Sequence, residues 1–303
     1  MSERVWVVIP TFNEADNLEP IIRAVIAELD QEVPDNYRVL IVDDSSPDGT
    51  GKMADRLVAE LPQLEVLHRH EKSGLGQAYI AGFTRALEGG AELVIEMDAD
   101  FSHNPKYLAT LLAAAQDADV VLGSRYVPGG GVVNWSKTRQ FISRGGGVYA
   151  RRILKIDVQD VTGGFKCIRR AVLEAIDLPS LRADGYVFQI EVTYRALMAG
   201  FRVKEVPITF ADRAVGDSKM SWNIALEAMW LVPQLRRQTV PGVRPAAHTP
   251  APLTANGSAP APESSAPAPE SSAPAPESSA PASASAAETP AQAPAESPNH
   301  TPV

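Results

Sequence analysis

Cysteine is nearly absent: the 303 residues include a single one, Cys167. One cysteine cannot form a disulfide within the chain, and it cannot alone build a thiolate metal site. A small buried apolar residue is the simpler interpretation of Cys167. Cysteine usage therefore favours a reducing compartment such as the cytoplasm.

Long hydrophobic runs are also missing. A helix that crosses a bilayer needs about 18 or more consecutive apolar residues, and the sequence contains no such run. The short apolar segment at residues 5–9 lacks the length and the basic flank of a secretory signal. We therefore expect no export, and a chain that is soluble or peripheral to a membrane.

The sequence has no excess of basic residues, and its formal net charge at pH 7 is -9. Residues 241–303 hold five glutamates and one arginine, a charge of -4, which leaves -5 for residues 1–240. Nucleic acids bind basic surfaces because their backbones carry phosphates. The charge distribution therefore argues against nucleic acid as a partner.

Large apolar side chains become scarce after about Gln238. From Ser258 onward a seven-residue unit recurs, and its prolines are Pro260, Pro267, Pro274 and Pro281. A proline in every repeat excludes a helix, and Ala, Ser and Glu supply little apolar surface for a core. The sequence therefore predicts one folded domain at residues 1–238 and a disordered tail, rich in Pro, Ala, Ser and Glu, at residues 239–303.

Within residues 1–238, short apolar runs alternate with segments of helical periodicity. Strands are predicted at residues 5–9, 37–42, 64–67, 93–97 and 120–122. Helices are predicted at residues 18–29, 53–61 and 77–87 and from Pro105 onward, with Asp16 or Asn17 capping the first. This alternation predicts an α/β fold with a mainly parallel sheet flanked by helices.

Acidic residues close several of the predicted strands. Glu14 follows the first strand, Asp43 and Asp44 follow the second, and Asp98 and Asp100 follow the fourth. Ligands of open α/β sheets bind beyond the carboxyl ends of the strands, so these side chains should converge on one edge. In an extended chain Asp98 and Asp100 would point the same way, and a divalent cation would relieve their repulsion. Oxygen ligands select a hard ion such as Mg²⁺ or Mn²⁺.

Three segments of the sequence resemble known ligand-binding motifs but depart from them at required positions. Residues 49–52 resemble the end of a phosphate-binding loop, but Ser46 replaces its first glycine and Met53 replaces its hydroxyl residue. Residues 44–49 imitate a calcium loop, but a predicted strand precedes them and a proline interrupts them. Residues 74–76 lack the third glycine of a dinucleotide fingerprint. These three kinds of site are therefore discounted.

Nine short motifs carry a resemblance to a known family. They include Val-Ile-Pro-Thr-Phe-Asn-Glu at residues 8–14 and Met-Asp-Ala-Asp at residues 97–100. The others lie at residues 42–50, 123–126, 142–145, 160–165, 185–191, 205–210 and 212–219. Together they make the chain resemble the inverting family 2 glycosyltransferases of the GT-A fold, specifically the dolichol- or polyprenol-phosphate mannosyltransferases. The resemblance extends from Val5 to about Gln238 and implies a single GT-A domain with a Rossmann-like sheet.

The resemblance implies a site for a nucleotide-sugar donor. Its nucleoside contacts would be Pro10, Phe12, Glu14, Val42 and Asp44. Its diphosphate contacts would be Asp98, Ala99, Asp100 and Phe101, with the cations Arg125, Arg213 and Lys219. Phe12 stands where family members often have Tyr, so stacking is kept while one hydrogen bond is lost.

The resemblance also implies a metal site and an acceptor site. Asp100 would be the direct ligand of Mg²⁺ or Mn²⁺, with Asp98 beside it. Some relatives supply a Gln ligand two positions after the second aspartate, where this chain has Ser102. The residues that would bind the acceptor phosphate are Arg125, Arg139 and Ser143. The candidate catalytic residues are Asp100, Arg125, Arg213 and Lys219.

The implied reaction moves mannose from GDP-mannose to polyprenyl phosphate. A phosphate monoester loses its second proton at about pH 6, so this acceptor is a nucleophile without a strong base. In-line displacement would give β-mannosyl phosphoryl polyprenol and GDP. The protein would meet the cytoplasmic face of a membrane through its own surface or through a separate anchoring protein. Residues 222–235, followed by Arg236 and Arg237, predict an amphipathic helix that lies at the membrane interface or packs on the core.

Two alternatives stay open. A transferase of the same fold could use UDP-glucose or another UDP-sugar, because physics alone chooses neither the base nor the hexose. A nucleotide-binding regulator without turnover belongs to a different class, and the set of Asp98, Asp100, Arg125 and Lys219 argues against it. A nucleotidyltransferase is disfavoured because residues 11–14 stand where its glycine-rich loop and lysine would be.

Overall fold

The computed structural model describes residues 4–181, 185–211 and 222–237, with the backbone alone for residues 222–229. The tail predicted at residues 239–303 lies outside these ranges, as do Arg213 and Lys219. Within the described ranges, no helix combines the length and the apolar character needed to cross a bilayer.

Strands and helices alternate along the first half of the chain. The strands are β1 (Val5–Thr11), β2 (Tyr37–Asp43), β3 (Leu64–His68), β4 (Leu93–Glu96), β5 (Val120–Ser124), β6 (Gly131–Val133), β7 (Lys166–Arg169), β8 (Val203–Pro207) and β9 (Thr209–Ala211). The helices are α1 (Ala15–Glu32), α2 (Thr50–Glu60), α3 (Leu75–Glu88), α4 (Leu108–Ala114), α5 (Lys137–Leu154), α6 (Arg170–Ala175), α7 (Gly185–Met198) and α8 (Trp222–Arg237). A short 3₁₀ turn, Pro105–Tyr107, leads into α4. The five predicted strands are confirmed, each to within two residues at its end.

Seven strands form one sheet in the order β3, β2, β1, β4, β7, β5, β8. β1 pairs in parallel with β2 on one side and with β4 on the other, so Val7 lies between Val39 and Ile95. β7 runs antiparallel between β4 and β5, whereas β5 and β8 are parallel. A small second sheet pairs β6 with β9. The mainly parallel α/β fold is therefore confirmed, with one antiparallel strand that the sequence pattern did not indicate.

Both faces of the sheet are covered, because side chains alternate across β1. Val5, Val7 and Ile9 belong to a core shared with α1, α2 and α4. Trp6 and Val8 belong to a second core, shared with α3, α6 and α7. A third cluster joins α5, α7 and α8. Helices on both faces leave the carboxyl edge of the sheet as the place where polar side chains can meet a ligand.

The predicted start of the first helix is wrong. α1 begins at Ala15, so neither Asp16 nor Asn17 is its cap. The free N–H groups are satisfied from the loop after β2 and the start of α2: an Asp48 carboxylate oxygen accepts the Ala15 N–H (3.1 Å), and Thr50 Oγ1 accepts the Glu14 N–H (3.0 Å). Local capping rules missed this start because a distant segment satisfies the free N–H groups.

Candidate active site

The carboxyl ends of β1, β2, β4 and β5 border a cavity of about 500 Å³. The predicted site residues that line it are Pro10, Phe12, Glu14, Asp44, Asp98, Ala99, Asp100, Ser102, Arg125 and Arg139. The parallel sheet brings them together from segments that are far apart in sequence. This cavity is the candidate active site.

Other predicted residues do not line the cavity. Val42 is fully buried in the core beneath α3, where its side chain packs against other apolar residues, and its contact with a nucleoside stays a prediction. Phe101 has a φ of 60° and is 37% exposed. Ser143 lies on α5, where its hydroxyl is 2.6 Å from the Tyr126 hydroxyl. Arg213 and Lys219 lie outside the described residues.

The loop after β3 adds two cations that the sequence motifs did not indicate. Arg69 Nη1 lies 2.6 Å from Asp44 Oδ1. Burial raises the pKa of Asp44, and the contact with Arg69 opposes that rise. Lys72 Nζ lies 3.6 Å from the centroid of the Phe12 ring, a cation–π contact. We call Phe12, Asp44 and Lys72 the nucleoside wall, because an aromatic face, a carboxylate and an ammonium group suit a flat base with donors and acceptors.

The acidic loop, residues 97–102, is bent rather than extended. β4 ends at Glu96, and the chain bends at Ala99 and Asp100, so the alternation argument for the two aspartates does not apply. Asp98 and Asp100 nevertheless both line the cavity.

Oxygen atoms of the acidic loop fit a hard divalent cation. Asp100 is buried, and the Asp98 side chain is 32% exposed. Ser102 Oγ is buried and has no hydrogen-bond partner in the part of the chain that is described, an arrangement that costs free energy unless a ligand or water satisfies the hydroxyl. Among the described residues, no three His, Cys, Asp or Glu side chains form a metal-binding group. Substrate phosphates and water would complete the coordination, as is usual for Mg²⁺.

The His103 side chain supports the acidic loop by a hydrogen bond to the main chain of that loop. Its Nδ1 accepts a hydrogen bond from the Asp98 N–H at 3.0 Å. The imidazole is 2% exposed, stacks on Phe165 with ring centroids 5.0 Å apart, and meets Phe210 edge-on at 5.5 Å. Burial lowers the pKa of His103, against the opposing effect of Asp98 and Asp100. Because Nδ1 accepts this hydrogen bond, it carries no proton, and the ring is neutral in this arrangement.

A buried polar cluster lies at the end of β4, next to the acidic loop. Lys166 Nζ is 2.8 Å from Glu96 Oε1, and neither side chain is exposed. Gln189 accepts a hydrogen bond from Lys166, donates one to Glu96 and lines the cavity. Burial raises the pKa of Glu96 and lowers the pKa of Lys166, while their mutual contact opposes both shifts. A satisfied network of this kind fixes β4, β7 and α7 in one arrangement.

Arg125 is held by a buried ion pair. Its Nε and Nη2 lie 2.7 and 2.6 Å from the two carboxylate oxygens of Asp160, and its main-chain N–H donates to the same carboxylate at 2.9 Å. Glu205 on β8 accepts the main-chain N–H groups of Gln159 and Asp160 at 2.7 and 2.8 Å. The Asp160 charge offsets the charge of Arg125. A phosphate would therefore meet Arg125 as an oriented donor more than as an isolated cation.

The first turn of α5 contributes Arg139 to the cavity. Its guanidinium carbon lies 4.0 Å from the centroid of the Trp135 ring, and the Ser136 hydroxyl caps the helix by accepting the Arg139 N–H at 3.2 Å. Trp135 is itself buried and lines the cavity. Stacking on Trp135 holds Arg139 at the cavity and not on a solvated helix face.

Several functional candidates were missed from the sequence, although some signals were present. Lys72 follows β3, whose carboxyl end meets the same sheet edge as β1 and β2. His103 directly follows the acidic loop. Asp160 and Gln189 lie inside two of the family motifs, residues 160–165 and 185–191, but no role was assigned to either residue. Trp135 directly precedes the Ser136 cap of α5 and lies four residues before Arg139, so its contact with Arg139 is local in sequence and the aromatic residue at the helix start was the signal.

The fold and the cavity define a class of protein. A mainly parallel sheet carries, along one edge, a nucleoside wall, an acidic loop suited to a divalent cation, and arginines suited to phosphate. These are the features of a GT-A nucleotide-sugar transferase. A family model described as Glycosyl transferase family 2 matches residues 6–177. The match covers more than half of the chain, which belongs to this family of glycosyltransferases.

Two curated bacterial proteins are similar over most of their length. An undecaprenyl-phosphate mannosyltransferase from Micrococcus luteus is 48% identical over 226 residues, which are 75% of this chain and 91% of that protein. A polyprenol monophosphomannose synthase from Mycolicibacterium smegmatis is 46% identical over 233 residues, which are 76% of this chain and 86% of that protein.

A solved structure also shares the fold. It is glucosyl-3-phosphoglycerate synthase from Mycobacterium tuberculosis in complex with Mn²⁺, UDP-glucose and phosphoglyceric acid. The TM-score is 0.56 at 16% identity, over 78% of this chain and 80% of that chain. At this identity the likeness shows the fold alone.

Replacing Asp160 with alanine should strongly destabilise the protein, because it leaves the buried charge of Arg125 without its partner. Removing one member of a buried ion pair costs about 3–5 kcal/mol. Urea unfolding followed by circular dichroism measures the change. Asp157→Ala is the matched control, since Asp157 is 93% exposed and contacts Arg151 at 3.4 Å; its loss should cost less than about 1 kcal/mol. Equal effects of the two substitutions would contradict this account.

Proposed function

We propose that this chain transfers mannose from GDP-mannose to a polyprenyl phosphate with inversion, giving β-mannosyl phosphoryl polyprenol and GDP. One observation carries the proposal: the nucleoside wall, the acidic loop and the arginines Arg125 and Arg139 converge in a single cavity. The relatives from Micrococcus luteus and Mycolicibacterium smegmatis, named for transfer of mannose to undecaprenyl phosphate and for polyprenol monophosphomannose synthesis, support it.

The nucleoside wall suits guanine. Phe12 offers an aromatic face for stacking, Asp44 offers a carboxylate acceptor, and Lys72 offers a charged donor. Guanine presents its O6 and N7 acceptors on one edge and an amino donor elsewhere on the ring. Lys72, which lines the cavity, would donate to these acceptors, and Asp44, held by Arg69 at 2.6 Å, would accept from the donors.

The acidic loop would bind the cation that accompanies the donor diphosphate. Asp98, Asp100 and Ser102 would hold Mg²⁺ or Mn²⁺, which when bound supplies positive charge to the departing diphosphate. Tyr79 Oη lies 3.2 Å from Asp98 Oδ1, and the Ser102 N–H donates to Asp100 Oδ1 at 3.0 Å. Burial and the charge of Asp98 raise the pKa of Tyr79, so its hydroxyl remains a donor. Both carboxylates are thereby oriented before any substrate binds.

Arg125 and Arg139 would bind the acceptor phosphate. A phosphate monoester carries close to two negative charges near neutral pH, since its second pKa is about 6, so no residue need act as a strong base. Arg139 would supply net positive charge, Arg125 would supply oriented N–H groups, and Ser143 lies one turn further along α5. The phosphate contacts of Arg213 and Lys219, like the boundary of the domain at residue 238, remain predictions.

The exposed face of α5 suggests how the cavity reaches a lipid. Phe141 is 79% exposed and Val148 is 42% exposed. The exposed cations Lys137, Arg144 and Arg152 lie along the same face at helical spacing. An apolar stripe flanked by basic residues is typical of a helix that lies at an anionic membrane surface. Arg139 faces the cavity from the first turn of α5, so docking of the exposed face of this helix would hold the rim of the cavity close to the lipid headgroups. We assign this contact to the cytoplasmic face of the membrane.

Transfer of labelled mannose tests the proposal. The protein is incubated with radiolabelled GDP-mannose, Mg²⁺ and a short polyprenyl phosphate, and the label is extracted into organic solvent. We expect lipid-bound label, reduced roughly 100-fold or more in Asp100→Ala, because the diphosphate loses its electrostatic stabilisation. Asp117→Ala is the control, since that side chain is 80% exposed and should leave transfer unchanged.

The same assay separates the alternatives. Label transferred from UDP-glucose, and not from GDP-mannose, would show that the proposed donor is wrong and that the proposed acceptor is right. GDP-mannose that binds without any transfer or hydrolysis would favour a regulator. Transfer that is equal in Asp100→Ala and the native protein would refute the role of the acidic loop.

Docking through α5 predicts that Phe141→Ser weakens binding to vesicles. Loss of one large apolar side chain from the contact should reduce the vesicle partition constant about 10-fold or more, since burial of such a side chain contributes about 1.5–3 kcal/mol. Co-sedimentation with vesicles of phosphatidylglycerol and phosphatidylcholine measures it. The control is Met198→Ser, because Met198 is 54% exposed on α7 and not on α5. Native protein that fails to bind such vesicles would contradict docking through α5 and favour a separate anchoring protein.

A further inference from the structure

Hydrogen bonds to its own main chain help to shape the acidic loop. Its backbone departs from β4 after Glu96 and takes a left-handed conformation at Phe101, with a φ of 60°. A non-glycine residue in this conformation must be held by its surroundings. The Asp100 carboxylate holds one side of the bend by accepting the Ser102 N–H. His103 holds the other side by accepting the Asp98 N–H at 3.0 Å.

His103 is itself fixed in place. Its ring stacks on Phe165 at a 13° interplanar angle and meets Phe210 at 76°. Phe165 immediately precedes β7, and Phe210 lies on β9, so two separate segments determine the orientation of the imidazole. An acceptor that is locked in this way can determine the position of the N–H group that donates to it.

The hydrogen bond also fixes the tautomer. Because Nδ1 accepts from the Asp98 N–H, the neutral ring carries its proton on Nε2. The opposite tautomer would place two N–H groups against each other and release the main chain of Asp98. The His103 ring therefore supplies a hydrogen-bond acceptor to the loop, in addition to packing against Phe165 and Phe210.

We propose that His103 is a positioning residue, which holds the main chain of Asp98 so that the carboxylates of Asp98 and Asp100 are arranged for a cation bound to the donor diphosphate. This inference rests on the proposed function for its cation and its nucleotide. It makes no claim that His103 touches the substrate. Groups that orient metal ligands in this way commonly change metal affinity about 10- to 100-fold when they are removed.

Two substitutions separate this role from simple packing. His103→Phe keeps an aromatic ring between Phe165 and Phe210 but removes the acceptor. His103→Asn loses the ring but places an amide oxygen near the position of Nδ1. A residue that only fills the core would tolerate Phe better than Asn, whereas a positioning residue would tolerate Asn better than Phe.

Calorimetric titration of GDP, with and without Mn²⁺, measures the effect on binding. We expect His103→Phe to weaken Mn²⁺-dependent GDP binding about 10-fold or more and to leave metal-free GDP binding unchanged. His103→Asn should stay within a few-fold of the native protein in both titrations. Native-like Mn²⁺-dependent binding in His103→Phe, or a larger loss in His103→Asn than in His103→Phe, would overturn the proposal.

A second readout does not depend on the proposed function. Nitrogen-15 spectra of the ligand-free native protein should show His103 as the neutral tautomer protonated at Nε2, and the Asp98 amide should exchange slowly. Slow exchange should persist in His103→Asn and be lost in His103→Phe. If the native protein binds no GDP with Mn²⁺, the proposed function fails while these spectra still decide whether His103 holds the loop. A tautomer protonated at Nδ1 would overturn the positioning role in either case.

Discussion

The buried ion pair between Arg125 and Asp160 is the interaction on which the cavity most depends. It joins the end of β5 to the loop before β7, and Glu205 ties that loop to β8. Trp135 and Phe210 lie within 5.4 Å of the guanidinium and exclude water from it, which strengthens the electrostatic attraction. Phe210 also contacts His103. The same aromatic cluster therefore contacts both the arginine side of the cavity and the residue that supports the acidic loop.

Much of the fold could be predicted from the sequence because it is encoded locally. The buried runs of β1 to β5 and the polar residues that end them follow from hydrophobic periodicity, and parallel pairing then brings Asp44, Asp98 and Asp100 to one edge. What could not be predicted depends on tertiary contacts. β7 inserts antiparallel between β4 and β5, and Asp48 caps α1 from another loop. Phe12 was identified by resemblance, but its partner Lys72 required the packing of the loop after β3.

The helix α5 connects the chemistry of the cavity with the surface of the protein. Its first turn presents Arg139 to the cavity, its buried face packs against α7 and α8 through residues such as Ala150 and Leu154, and its exposed face carries Phe141. A lipid phosphate requires this combination, because the phosphate must enter a polar cavity while its hydrocarbon chain stays in the membrane. Trp135 stacks beneath the Arg139 guanidinium, 4.0 Å from its central carbon, and holds it at the cavity.

The central claim is that one displacement at the anomeric carbon joins mannose directly to the lipid phosphate. The most direct test is the anomeric configuration of the lipid product made from GDP-mannose, determined by carbon–hydrogen coupling in nuclear magnetic resonance spectra. In-line attack by the acceptor phosphate, oriented by Arg125 and Arg139, predicts a β-mannosyl phosphate. An α-mannosyl phosphate, or free mannose in place of a mannosyl lipid, would contradict the account.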